Sequence, residues 1–332
     1  MKNRKIWIFG IVLAVLIPVS ILISLSYGSR SVSIGSVFGA FFENGAPQTE
    51  VDIVYARIPR TVFGLIAGAA LGTSGLLMQS ITRNPVADPS ILGVNTGASL
   101  FVVIGMAFFN IGDKNQYIWL AFTGAVLTAA LVFGLASSGK GGATPMKLAI
   151  AGAATATALQ SIVNTVMLPN SQVMDRFRFW QTGSIGGASW DDIKTVIPYL
   201  AGGFIIAIAL IPSLNALALG DEFAAGLGVN VARTRILGIV AGVLLCAATT
   251  AIAGPIGFIG LMIPHVMKLV LGPDLKLLVP FSMMGGAILL LLSDVAGRLL
   301  GSPGEFESGI ITALVGGPAF ILIVRKVRVR SV

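Results

Sequence analysis

Residues 236–267 read ILGIVAGVLLCAATTAIAGPIGFIGLMIPHVM, 32 residues without a single Asp, Glu, Lys or Arg. A helix that crosses the ~30 Å hydrocarbon layer needs about 20 apolar residues at ~1.5 Å each. The run is therefore long for one straight span. Gly254-Pro255 stands in its middle, and glycine followed by proline ends a helix or kinks it hard. It is one bent span or two short ones, and the topology of the whole chain depends on which.

Eight further stretches lack acidic and basic residues: Ile6–Ser29, Thr61–Thr82, Pro89–Gly112, Asn115–Gly139, Leu148–Met174, Thr195–Gly220, Leu277–Ser293 and Ser308–Val324. Basic residues flank the chain at both ends, with Lys2, Arg4 and Lys5 before the first stretch and Arg325, Lys326, Arg328 and Arg330 after the last. Loops on the cytoplasmic side of a membrane carry an excess of Lys and Arg. Placing both ends there requires an even number of spans, so 236–267 splits and the total is ten. The same topology puts Arg83, Lys140, Lys147, Arg233, Arg235, Lys268 and Lys276 on the cytoplasmic side. Met1–Lys5 looks like the start of a signal peptide, but the following apolar run is too long and lacks a clean cleavage site. It reads as a retained span.

Composition supports this. Of the 332 residues 55% are hydrophobic and 11% charged, with a mean hydropathy of +0.91. Soluble domains carry about 25% charged residues. The 41 glycines suit close helix packing in lipid, and Gly64, Gly68, Gly72 and Gly75 line one helix face with small groups. The single cysteine, Cys246, has no partner for an internal disulfide. The net charge of +8 is a matter of membrane sidedness rather than of nucleic acid. The expected fold is an all-α polytopic membrane protein, one transmembrane domain over residues 1–332.

Ion-coupled transporters hold an ionisable group near the bilayer centre. Here the carboxylates fall in loops or near span ends, the deepest being Asp294 at the end of the ninth span. The phosphate-cradling motif G-x-x-x-x-G-K-[ST] is absent, so this pore does not hydrolyse ATP by that route. A pore neither ion-coupled nor self-powered needs an external motor, unless it is a passive channel.

Three segments are richer than packing requires. The first is Arg57-Ile58-Pro59-Arg60, a glycine-rich helix, and then Gln79-Ser80-Ile81-Thr82-Arg83-Asn84-Pro85-Val86-Ala87-Asp88-Pro89. The second is Leu219-Gly220-Asp221-Glu222-Phe223-Ala224-Ala225-Gly226-Leu227-Gly228-Val229. The third runs from Gly254-Pro255-Ile256-Gly257-Phe258 to Pro264-His265, with Asp294-Val295-Ala296-Gly297-Arg298 downstream. Together, from about Arg57 to the C-terminus, they resemble the FecCD-type permeases of ABC importers for iron–siderophore complexes, haem or cobalamin.

The resemblance implies the type II importer permease fold with ten spans, in a bacterial cytoplasmic membrane. It implies a second permease subunit, identical or a sister chain, with the substrate cavity between the two. An extracytoplasmic binding protein sits above and two ATPase subunits, which bind ATP and Mg, sit below; this chain binds no cofactor or metal of its own. Iron(III)–siderophore is the commonest cargo of the resembling family. Arg57, Arg60 and Arg298, all on the outer face of the ten-span topology, match arginines that dock acidic residues of the binding protein. Guanidinium groups suit bidentate pairing with carboxylates, although arginines at span ends also serve as plain interfacial anchors. Asp221, Glu222, Phe223, Ala224, Ala225, Leu227, Gly228 and Val229 match the coupling helix (about 219–230) that rests in a cleft of the ATPase, and a short apolar helix with few charges suits a groove. Asn84, Pro85 and Val86, in a turn stiffened by two prolines, belong by resemblance to the inner gate, with the turn around Ser138–Thr144 supplying its other part.

Two readings from other classes compete. Gly72-Thr73-Ser74-Gly75 looks like the G-x-S-G of rhomboid-type intramembrane proteases, with His265, the only histidine, as its base; such a serine needs the base beside it. An ion-coupled secondary transporter needs the buried carboxylate discussed above. One His and one Cys do not make a transition-metal site.

Overall fold

The computed structural model describes residues 2–42, 46–109, 111, 114–138 and 143–327. It is helical throughout, with no strand among the described residues. In chain order the helices are α1 (Lys2–Ser26), α2 (Ile34–Phe42), α3 (Gln48–Thr82), α4 (Val94–Phe108), α5 (Lys114–Ser137), α6 (Pro145–Met167), α7 (Ser171–Thr182), α8 (Trp190–Ala209), α9 (Ile211–Leu217), α10 (Asp221–Gly226), α11 (Val231–Ala253), α12 (Ile259–Leu271), α13 (Leu275–Leu300) and α14 (Ser308–Val327). Among the described residues seven helices, α1, α3, α5, α6, α8, α11 and α13, are long and apolar enough to cross a membrane. Three shorter apolar helices accompany them, Val94–Phe108, Ile259–Leu271 and Ser308–Leu322.

The decisive run 236–267 breaks where its sequence predicts. α11 ends at Ala253, Gly254 adopts φ +71°, and α12 starts at Ile259 after Phe258 at φ +69°. Proline removes the next backbone donor, so the break leaves a short unwound link between two helices.

Other boundaries differ from the uncharged stretches. α3 begins at Gln48, well before Thr61, and carries Arg57, Pro59 and Arg60 inside the helix instead of in a loop. Helix formation follows the backbone, and paired charges do not interrupt it. Pro89–Gly112 holds a 3-10 turn, Pro89–Leu92, ahead of α4. Leu148–Met174 ends its helix at Met167, and α7 follows after Asn170, whose side chain accepts from the Val173 amide at 3.1 Å. Thr195–Gly220 is divided at Leu210, before Pro212.

The core forms around α3, which packs against α13, α11 and α12. Glycine makes these approaches close. A Cβ on Gly68 would lie 2.3 Å from the Gly286 carbonyl oxygen of α13, and one on Gly75 would lie 2.0 Å from that of Gly260 at the start of α12. In lipid, where apolar burial no longer separates helix from solvent, such backbone approach supplies the packing that holds helices together.

Candidate functional site

At one end of the bundle the last turn of α1 leaves carbonyls without helical partners, as every helix C-terminus does. Arginines satisfy them. Arg57 donates to Leu25 O at 2.8 Å and Ser26 O at 3.1 Å, and also to Arg30 O. Arg298 donates to Ser24 O at 3.0 Å and to Ser24 Oγ at 3.1 Å. Between them lies Asp294, which is inside α13 rather than at a span end and is buried. Its carboxylate accepts from Arg60 Nε at 2.9 Å and Nη2 at 2.8 Å, and pairs with Arg298 Nε at 3.2 Å. Burial of a carboxylate in this setting requires such compensation. Arg60 reaches outward through Nη1 to Glu305 at 2.8 Å.

The three arginines therefore do cluster, but not as free docking groups. Arg298, 1% exposed, is out of reach of any partner in this conformation, and it braces α1 against α13. Arg57 and Arg60 are half-buried, with Glu305, the more open carboxylate, standing at the rim. Topology assigns a residue to a side of the membrane; it does not say which way its side chain turns.

The opposite end carries the second and third sequence-predicted groups. Residues Asp221–Gly226 form α10, and Leu227 and Gly228 complete a turn, with Gly228 at φ +80°. Phe223 and Leu227, four apart on one face, are 72% and 66% exposed, while Ala224 is buried against the bundle. Glu222, Ala225 and Gly228 are exposed as well, whereas Val229, matched to the same coupling helix, turns inward onto the core. The turn after α3 is built as expected of Asn and Pro. Arg83 adopts φ +51°, the Asn84 side-chain oxygen accepts from the Val86 amide at 3.0 Å, and Asp88 accepts from the Ser90 amide at 2.9 Å. Pro85 and Val86 are exposed. Of the partner turn 138–144, residues 139–142 lie outside the described residues.

One feature was not singled out by sequence. α6 and α1 are both largely exposed helices, but their surfaces differ. From Trp7 onward the open face of α1, with Ile11, Val15 and Val19, is apolar, as suits a lipid-facing surface. On α6 the open face begins with Met146 and Ile150 and then turns polar over its second half, with Thr157, Ser161, Asn164 and Thr165 and with Gln160 beside them. Gln160 Nε2 donates to Asn164 Oδ1 at 3.1 Å, and the Thr157, Ser161 and Thr165 hydroxyls bond back to the carbonyls four residues before. The hydroxyls are satisfied within the helix, but the Gln160 and Asn164 amides have further donors and acceptors that acyl chains cannot meet, so they favour protein or water. The i, i+4, i+7 spacing of Thr157, Ser161 and Asn164 was the available signal.

The protease constellation does not form. Ser74 donates its hydroxyl to Gly242 O at 2.6 Å within the α3–α11 contact, and neither imidazole nitrogen of His265 has a hydrogen-bond partner among the described residues. No base activates Ser74.

Comparison with known proteins decides the family: residues 15–326 match the model of the FecCD transport family. The chain belongs to that family. It is 39% identical over 325 residues to the ferric enterobactin transport system permease protein FepD of Escherichia coli, covering 98% of this chain and 96% of the relative. It is 40% identical over 306 residues to the Fe(3+)-citrate import system permease protein YfmD of Bacillus subtilis, covering 92% and 91%. Among solved structures, an inward-facing conformation of a metal-chelate type ABC transporter superposes with a TM-score of 0.84 at 28% identity, covering 98% of this chain and all of that one. This family member is thus a multi-pass permease of the ABC importer type.

Proposed function

We propose that the chain moves an iron(III)–siderophore complex through a cavity between two permease subunits, one face of which is the polar side of α6. That face carries the reading: Thr157, Ser161, Asn164 and Thr165 are open to the surroundings on a membrane-length helix. A second permease copy across from it would enclose a pathway lined by hydroxyls and amides. Such groups bind a large polar chelate weakly at many points, which lets it leave as readily as it enters. Both relatives named above carry ferric chelates by name.

The ten-span topology follows if the three shorter apolar helices also cross, with both termini cytoplasmic. α10 then lies on the cytoplasmic side and offers Phe223 and Leu227 to a groove on an ATPase subunit. The rim formed by Arg57, Arg60 and Glu305 lies outside and receives acidic residues of a binding protein, with Arg298 supporting it from behind.

The test is ATP-dependent uptake of radiolabelled ferric siderophores into vesicles holding this chain, its ATPase and its binding protein. Hydroxamate, catecholate and citrate chelates, haem and cobalamin run in parallel. We expect import of one ferric chelate, lost when the ATPase is inactivated, and lowered about tenfold or more by T157L/S161L. Uptake driven by an ion gradient with ATP absent, or unaltered by the α6 changes, would overturn the proposal.

A further inference from the structure

Arg83 caps the C-terminus of α3 with φ +51°, immediately ahead of Asn84. Its guanidinium donates to Leu217 O, the end of α9, through Nε at 3.1 Å and Nη2 at 2.7 Å. The same Nη2 pairs with Asp221 Oδ1. From the other side, Arg235 of α11 reaches both Asp221 oxygens, at 3.1 and 2.8 Å. A carboxylate has about four acceptor sites, so Asp221 holds both arginines at once. One aspartate thus joins the end of α3, the α9–α10 turn and the start of α11.

Stability does not explain this arrangement. The Arg83 and Asp221 side chains are 39% and 45% exposed, and ion pairs that open to water contribute little to folding. Arg83 grips the Leu217 carbonyl through Nε and Nη2 and shares Nη2 with Asp221, so one planar group fixes the register of the parts it joins. Those parts are telling. Phe223, the exposed anchor of α10, follows Asp221 by two residues, and the Asn84–Val86 turn follows Arg83 directly.

We infer that Asp221 is a positioning residue that ties α10 to the Asn84–Val86 turn through Arg83, so that a partner pressing on Phe223 moves that turn. The inference rests on the permease reading above. An aspartate at the first position of a helix also favours its positive end; the Arg83 variant separates that role from the tie.

The experiment uses the complete importer in vesicles with a ferric siderophore that the wild type transports, and counts chelate imported per ATP hydrolysed. D221N and R83Q each lower that ratio by about fivefold or more, the lower bound of usual coupling between sites. The double variant R83Q/D221N falls no further than either single one, because both sever one link. R235Q, which spares the Arg83–Asp221 pair, changes the ratio by less than about twofold. R83K keeps the charge but loses the planar group that holds Leu217 O and Asp221 together, and it also lowers the ratio, which keeps the test open if R83Q fails to assemble. A purely structural role would lower the melting temperature and yield of the complex and leave the ratio unchanged. Effects that multiply in the double variant, or a wild-type ratio in R83Q or R83K, overturn the inference. A wild-type importer that takes up no chelate with ATP removes the permease reading, and the tie with it.

Discussion

The two ends of the bundle use the same chemistry, arginine on aspartate, for opposite purposes. At one end Asp294 is 1% exposed and sits between Arg60 and Arg298, both packed into the helices they join. At the other, Asp221 sits between Arg83 and Arg235 within reach of water. Burial separates the cases. A dry carboxylate held by two cations is fixed, since breaking it strands charge in a low dielectric. A wet one contributes little to folding and breaks at small cost, yet while it holds it keeps the parts it joins in register. The first arrangement suits a joint that stays closed, the second a joint that works.

The sharpest way to break that contrast is to remove the dry aspartate. Asp294→Asn leaves Arg298 facing a neutral amide and Arg60 dependent on Glu305 alone. The expected loss is about 3–5 kcal/mol, the usual cost of stranding one partner of a buried pair. Thermal unfolding in detergent reads it, and a melting temperature close to wild type would show that the cluster is wetter than its 1% exposure implies.

Next in size is the packing that keeps the two ends in register. A Cβ on Gly75 would lie 2.0 Å from the Gly260 carbonyl oxygen and 2.4 Å from its Cα. Backbone has no rotamer to yield, so Gly75→Leu must push α3 and α12 apart. The expected cost is about 1–3 kcal/mol or more, with impaired transport even where the protein still assembles. Gly226, with open space around its Cβ position, is the control; Gly226→Ala should leave the melting temperature unchanged.

How much of this the sequence revealed follows from the physics of each feature. The helical class, the break at Gly254-Pro255 and the small face at Gly68 and Gly75 depend on local chemistry, and all three are found in the structure. The partners of Arg57, Arg60 and Arg298 depend on helices far apart in the chain, so the reading placed them on a surface when they point largely inward. The start of α3 lies upstream of the uncharged stretch because Asp294 and Glu305, remote in the chain, neutralise Arg60 inside the helix. The α6 face was missed for a simpler reason. An uncharged stretch hides its threonines, serines and asparagine among alanines, and only the contrast with α1 makes their exposure informative.

A smaller effect belongs to the α12–α13 link at the Asp221 end. Asp274 caps α13, accepting from the Lys276 amide at 2.9 Å and from Asn215 Nδ2 at 2.9 Å, while Asn215 Oδ1 accepts from the Leu275 amide. The hydrogen bonds from the Lys276 amide and Asn215 hold its carboxyl below the ordinary carboxylate range. A carboxylate with a depressed folded-state value contributes stability that is present above the unfolded value, near pH 4, and lost as pH falls through the folded one. Asp274→Ala removes this cap and should cost at most about 1 kcal/mol at neutral pH, less for so exposed a group, and the difference from wild type should shrink in acid. A difference independent of pH would assign the effect to chain geometry instead of to the charge.

The smallest expected effect sharpens the comparison most, because it tests two carboxylates on one cation. Arg60 holds Asp294 through Nε and Nη2 and Glu305 through Nη1, the first 1% exposed and the second 40%. Asp294 takes two nitrogens of Arg60 and a second arginine, Arg298, whereas Glu305 takes one nitrogen and stands open to water. Glu305→Gln should cost less than about 1 kcal/mol, and that difference should shrink as salt is raised. The cost of Asp294→Asn should barely respond to salt, since screening does not reach a dry pair. If both responded alike, exposure would not be what divides the fixed joint from the working one, and the contrast between the two ends of the bundle would need another cause.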